Sequence, residues 1–127
     1  MKVLVIGAGP AGLMASYSAS LNGHDVILIE KNEKAGKKIY ITGKGRCNVT
    51  NACSNNDFIK NIVSNPKFMY SAISSFSCYD TIDFFENRKV PLVVERGNRV
   101  FPKSYHASDI TKALLDACKD VDIHINE

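Results

Sequence analysis

The feature that most constrains this chain is the stretch Val5–Leu13, VIGAGPAGL, which joins a short apolar run to a helical pattern through three glycines and a proline. Glycine loses more freedom on folding than any other residue, so three at fixed spacing mark a turn where the backbone itself must approach something closely. Upstream, residues 2–6 (KVLVI) form a continuous β-rich run bounded by glycine, the pattern of a strand buried on both faces of a parallel sheet. Downstream, Pro10 to Leu21 sets Ala11, Leu13, Met14, Ala15, Tyr17, Ala19 and Leu21 at helical spacing, and Asn22-Gly23 supplies a stop that can adopt a left-handed cap. Residues 25–30 (DVILIE) read as a second buried strand. Strand, helix and strand in so short a span make a βαβ unit with a right-handed crossover and parallel neighbours.

The glycines then acquire separate tasks. In a dinucleotide-binding turn Gly7 permits the sharp exit from the strand, Gly9 lets the backbone close on a pyrophosphate, and Gly12 lets the helix pack tightly on the sheet. Pro10 suits the first helical position, where its missing N–H costs nothing, and the amides of Ala11 and Gly12 remain available to an anion at the positive helix end. Glu30 closes the second strand at the spacing where a carboxylate accepts hydrogen bonds from ribose hydroxyls and repels a 2′-phosphate.

After Glu30 the sequence departs from a simple dehydrogenase pattern. A second crossover helix and third strand would follow at once, but the next matching run, VDIHIN at 121–126, comes only after a long insertion. The insertion begins with KNEKAGKKIYITGKGRCNVTN, in which Gly36, Gly43 and Gly45 separate Lys31, Lys34, Lys37, Lys38, Lys44 and Arg46. Such a segment cannot bury a core face. Its glycines permit close backbone approach, and its cations can neutralise a diphosphate. A solvated basic loop and an RNA-binding patch are the competing readings, and the near absence of stacking aromatics around it argues against RNA.

The rest of the chain reads as architecture. FIKNIVSN and KFMYSAISSF are expected as helices parted by Asn65-Pro66, and YDTIDFFENRK as a third, with Phe76, Ile82, Phe84 and Phe85 in the core. PLVVE and NRVFP flank Arg96-Gly97 as a hairpin. Ser108 is expected to cap a helix from Asp109 to about Lys119, ahead of the third parallel strand. Cys47, Cys53, Cys78 and Cys118 include no Cys-x-x-Cys pair, so reduced thiols and no metal site are expected. Cys47, between Arg46 and Asn48, is read as a structural or flavin-adjacent thiol rather than a redox centre, since no resolving cysteine is suitably spaced. His106 reads as a polar cap before it reads as an acid or base, and His24 as an exposed turn residue.

Taken together, GAGPAGL, LIEKN, GKKIYITGKGRCNVTN and RVFPKSYHASDITKALL resemble the N-terminal part of the HI-type conserved hypothetical flavoproteins. This is a group of NAD(P)/FAD-dependent oxidoreductases that includes aminoacetone-oxidase-like and bile-acid-dehydroxylation-associated enzymes. The resemblance covers nearly the whole chain, and TGKGRCNVTN is its most diagnostic piece. It implies that FAD contacts lie near Lys37, Lys38, Thr42, Gly43 and the turn Arg46, Cys47, Asn48; it assigns no catalytic base. The sequence departs from the family pattern after FFENRK, where a glycine is usual and Arg88-Lys89-Val90 stand here. Family members are also several times longer, which implies that catalytic residues and a substrate domain lie beyond Glu127.

The expected fold class is therefore α/β: a Rossmann-like parallel sheet of the FAD/NAD(P)-binding type in which residues 31–120 are a helical and hairpin insertion between the second and third strands, residues 1–127 being the N-terminal part of an FAD-binding domain. The expected function is FAD-dependent two-electron (hydride) transfer on a small organic substrate, with NAD(P)H as a candidate electron donor and the 127-residue chain inactive alone. The alternatives are an NAD-binding dehydrogenase domain and a non-catalytic nucleotide- or RNA-associated module. A formal charge of +3, with acids interspersed among the bases, points to neither nucleic acid nor membrane. The first apolar run is too short to span a bilayer and lacks a signal-peptide cleavage site, so a cytoplasmic protein is expected. Oligomeric state is not legible.

Overall fold

Val3 and Val5 pair in register with Val26 and Leu28, and these four side chains share one face of a parallel pair formed by β1 (Lys2–Ile6) and β2 (Asp25–Glu30). A computed structural model describes all residues 1–127, which divide into two units, one of residues 1–47 and 106–127 and the other of residues 48–105.

In the first unit, helix α1 (Pro10–Leu21) connects β1 to β2 and packs on both strands. It ends as the sequence implies: Gly23 takes φ +75, and its amide donates to the Ser20 carbonyl at 2.9 Å. A second parallel crossover from β2 ends in helix α5 (Ala107–Ala117) and strand β6 (Asp122–Ile125), which pairs with β2 to give the order β1-β2-β6. Helices α1 and α5 pack against each other, and the Cys118 thiol just past α5 donates to the Leu13 carbonyl at 3.2 Å. Leu13, Val26, Leu28, Ile110, Leu114 and Cys118 form the buried centre.

The expectation that β1 is buried on both faces does not hold. Leu4 and Ile6 are 60% and 73% exposed, because α1 covers only the face carrying Val3 and Val5. The run is continuous in hydrophobicity, but only its alternate residues are packed. The helix expected from Asp109 starts earlier, at Ala107, with His106 in extended conformation as its cap residue and no side-chain capping bond. Ser108 therefore sits inside the first turn and does not cap.

In the second unit, β4 (Leu92–Glu95) and β5 (Arg99–Pro102) form the expected hairpin, with Gly97 at φ +75 in the turn. A two-residue strand that the sequence did not announce, β3 (Thr50–Asn51), pairs antiparallel with β5. The three expected helices are present with shifted bounds. α2 (Asn55–Lys60) is capped by Ser54, whose hydroxyl accepts from the Asp57 amide at 3.1 Å. Pro66–Met69 is a 3₁₀ turn leading into α3 (Tyr70–Ser75). α4 (Cys78–Glu86) opens with a reciprocal capping box between Ser77 and Asp80. Phe84 and Phe85 are buried as expected, but Phe76 is 42% exposed, since it falls after the last turn of α3 in extended backbone.

The end of α4 bears on the missing family glycine. The Lys89 amide donates to the Glu86 carbonyl at 2.9 Å and the Val90 amide to the Phe85 carbonyl at 3.1 Å, the paired bonds of a left-handed helix stop. Lys89 occupies the left-handed position at φ +62. The turn keeps the shape a glycine would give it, with a lysine bearing the conformational cost.

Candidate functional site

The site forms where β1, α1 and β2 meet. Gly7 leaves β1 at φ +96, and its amide donates to the Ile29 carbonyl at 2.7 Å, which ties the turn to the neighbouring strand. A Cβ on Gly12 would lie 1.9 Å from the Gly7 carbonyl oxygen, so close approach of helix to turn admits no side chain there. Gly9 differs from both. Its φ of −74 is open to any residue, and a Cβ built on it meets nothing within 4 Å, so the glycine leaves free space rather than relieving strain or a clash. Pro10 begins α1, and the first-turn amides of Ala11 and Gly12 precede its first intrahelical bond, from the Leu13 amide to the Gly9 carbonyl at 2.9 Å. Together with the helix dipole they make the end of α1 electropositive.

Ala8, fully buried, is the hub of this arrangement. Its amide donates to Glu30 Oε2 at 2.8 Å, and its carbonyl accepts from the Gly36 amide at 2.8 Å. The other carboxylate oxygen, Glu30 Oε1, accepts from the Asn32 backbone amide at 2.8 Å and from Asn32 Nδ2. The amides of Asn32 and Ala8, in that order, hold the Glu30 carboxyl below the usual carboxylate range, against the opposing effect of burial and with smaller help from the Asn32 side chain and Lys31. Glu30 is thus a buried anion fastened under the glycine turn. A carboxylate offers about four lone-pair directions, and three are used, which leaves one on Oε2.

One residue that sequence reasoning left without a task, Asn32, belongs to this structure, and Gly36, expected only to permit close backbone approach, gains a defined partner in it. Asn32 fixes Glu30 from two donors, and the only signal was its place two residues past the acid. Gly36 at φ +69 brings the following segment back to Ala8, and a Cβ there would fall 2.9 Å from Thr111 Cγ2. The candidate loop residues beyond it are less unified. Lys31, Lys37 and Lys38 are exposed, with Lys37 Nζ 3.4 Å from Glu33. Ile39–Gly45 is a broken 3₁₀ segment in which Gly43 and Lys44 are left-handed, at φ +56 and +58, and Gly45 follows at φ +84. Thr42 Oγ1 donates to the Ile39 carbonyl, and Arg46 Nε to the Gly43 carbonyl, so both side chains stiffen this loop.

Cys47 is buried at φ +59, and its amide donates to the Thr42 carbonyl at 3.1 Å. Burial pushes its thiol up, with Thr42 acting in the opposite sense, so the site does not favour a thiolate. Asn48 belongs to the second unit. With its amide oriented to satisfy both neighbours, its Nδ2 donates to the carbonyls of Val100 and Thr50 at 3.2 Å. All four cysteines are free, and no group of three or more His, Cys, Asp or Glu side chains is disposed to hold a metal ion. No helix is long and apolar enough to cross a membrane.

Comparison with known proteins extends these observations. A family model described as the HI0933-like protein Rossmann domain matches residues 1–127. The chain is 30% identical over 115 residues to a 3-dehydro-bile acid delta(4,6)-reductase of Clostridium scindens, covering 89% of this chain and 27% of that protein. It is 33% identical over 116 residues to the ribosomal RNA dihydrouridine synthase of Escherichia coli, covering 91% of this chain and 28% of that one. The chain thus spans little more than a quarter of these curated relatives. Among solved structures, THI4 of Thermovibrio ammonificans shares the fold, with a TM-score of 0.56 at 14% identity over 98% of this chain and 37% of that one.

Proposed function

Because this chain belongs to the HI0933-like Rossmann-domain family, a family of flavin-dependent oxidoreductases, we propose that its glycine turn and Glu30 hold the ADP half of FAD. We propose further that the whole protein is an FAD-dependent oxidoreductase acting on a small organic substrate. The observation that carries this reading is the hydrogen bond from the Ala8 amide to Glu30, which fixes the carboxylate and the start of α1 as one rigid piece.

In this reading the diphosphate lies against the open side of Gly9, where no atom of the protein stands within Cβ reach, and takes the amides of Ala11 and Gly12. The remaining acceptor direction on Glu30 Oε2 takes one ribose hydroxyl rather than two, since the other three directions serve Ala8 and Asn32. Lys31, Lys37 and Lys38 supply long-range attraction for the anion, while Thr42, Gly43, Gly45, Arg46 and Cys47 shape the loop toward the flavin. Bound FAD would supply the two-electron redox chemistry, and NAD(P)H is the proposed reductant. An NAD-binding dehydrogenase is the weaker alternative, because the segment after Glu30 folds back on Ala8 through Gly36 instead of leading at once into a crossover helix.

A second reading has a specific basis. One relative is named for its action on ribosomal RNA, and this chain's exposed lysines 31, 34, 37, 38 and 44 give an RNA backbone something to approach. The experiment is a visible absorption spectrum of the purified protein followed by NAD(P)H oxidation assays with small unsaturated organic acceptors and with unmodified ribosomal RNA in parallel. A flavin spectrum with turnover of a small acceptor supports the proposal. Turnover of RNA alone replaces the substrate part of it, and a colourless protein that binds NAD instead of FAD overturns it.

A further inference from the structure

The second unit carries a cleft of about 610 Å³ between α2 and the β4–β5 turn, which falls in the size range of small-molecule sites. Asp57 is the one charged residue in its lining, beside the amides of Asn51, Asn61 and Asn98. Asn51 turns its Nδ2 to the Gly97 carbonyl at 2.9 Å, and Asn61 turns its Nδ2 to the Asp57 carbonyl at 2.8 Å. Each amide nitrogen gives one of its two N–H groups to backbone, which fixes the orientation of the amide and leaves its oxygen as an acceptor and one N–H as a donor. Asp57 adds a carboxylate whose Oδ2 accepts from the Ser54 hydroxyl at 2.8 Å. Neither lysine nor arginine is among the residues lining the cleft. Lys60 Nζ stands 3.8 Å from Asp57 Oδ1 with its side chain 75% exposed, a pairing that water weakens and a ligand can displace.

The less polar part of the lining is Cys53, Phe58 and Ile62, which pack on the buried cluster of Ile59, Ile73 and Cys78 and so form a supported wall. A carboxylate and amide oxygens beside an apolar wall, with no lysine or arginine in the lining, favour a cation that brings its own N–H donors. An anionic ligand would meet the Asp57 carboxylate with no lysine or arginine in the lining to offset it.

We propose that this cleft binds a small organic ammonium ion bearing an apolar or aromatic group, its ammonium on Asp57 and the oxygens of Asn51 and Asn61, and its apolar group on Phe58 and Ile62. The site lies wholly within residues 48–105 and does not depend on the nucleotide-binding reading.

The test is amide NMR of the full protein titrated with phenethylamine and, separately, with phenylacetate, which has a similar ring and the opposite charge. Phenethylamine is expected to give saturable shifts of the Asn51 and Asn61 side-chain amides and of the Gly97 and Asn98 backbone amides, and phenylacetate none. Asp57→Asn, which keeps an oxygen for Ser54, is expected to weaken phenethylamine about tenfold, the usual scale for a charge-assisted bond. Should that variant unfold α2, Phe58→Leu decides the matter, with an expected loss of about threefold from the missing ring–ring contact. Equal responses to amine and acid, shifts mapping outside these residues, or an unchanged affinity in both variants would overturn the proposal.

Discussion

The Ala8 amide donates to Glu30 Oε2 across 2.8 Å, so the acid at the end of β2 is bound to the middle of the glycine turn before any ligand arrives. This bond joins residues 22 positions apart in sequence and makes Glu30 structural as well as a ligand candidate. The consequences for stability and for binding can be separated.

Glu30→Gln sets an amide nitrogen or a weaker oxygen opposite backbone N–H groups in a buried place. Leaving a buried donor unsatisfied costs about 1–3 kcal/mol, so a lowered Tm is expected even without ligand. The pH dependence carries a second signature. Glu30 is held below its ordinary value in the folded protein, so its contribution is present above about pH 4.5 and is lost as pH falls through the lower folded value. The wild type should therefore lose its advantage over Glu30→Gln on acidification below that point. Parallel Tm curves for the two proteins from pH 7 to pH 3 would contradict the assignment.

Gly12 and Gly9 should respond oppositely. Gly12→Ala forces a Cβ to within 1.9 Å of a backbone oxygen, and overpacking of that kind costs about 1–3 kcal/mol or more. Gly9→Ala meets no atom within 4 Å and asks for no unusual φ, so its unfolding free energy should stay within about 1 kcal/mol of wild type. Urea denaturation of the two variants checks this. Equal destabilisation would mean that the packing at one of them is misread.

Lys89→Gly is expected to stabilise the protein. A non-glycine residue in the left-handed region bears about 1–2 kcal/mol of strain, and glycine's extra freedom in the unfolded chain returns about 0.5–1 kcal/mol of that. The net gain is about 0.5–1 kcal/mol, with both bonds of the α4 stop kept. A loss of stability on denaturant unfolding would show that the Lys89 side chain does more than tolerate its position.

Much of the first unit was legible because its signals are local. The two apolar runs, the helical spacing from Pro10 and the glycines at 7, 9 and 12 are properties of adjacent residues, and each found the strand, helix or turn it implied. What was not legible depends on distant partners. No local pattern says that Ala8 would take both Glu30 and Gly36, or that Leu4 and Ile6 would face outward on β1. Helix α5 began before Ser108 because Ala107, Ile110, Thr111 and Leu114 bury one face together, and that packing outweighs a single capping residue. The strand β3 is two residues long, below what alternation in sequence can announce.

The most direct measurement is the FAD dissociation constant of the full protein and of Gly9→Val, with ADP as competitor. ADP is expected to displace FAD from the wild type, and Gly9→Val to keep the wild-type unfolding free energy within about 1 kcal/mol while losing at least about a hundredfold in FAD affinity. An unchanged FAD dissociation constant in Gly9→Val, or FAD binding indifferent to ADP, would contradict the claim that this turn and Glu30 hold the adenosine diphosphate end of the cofactor.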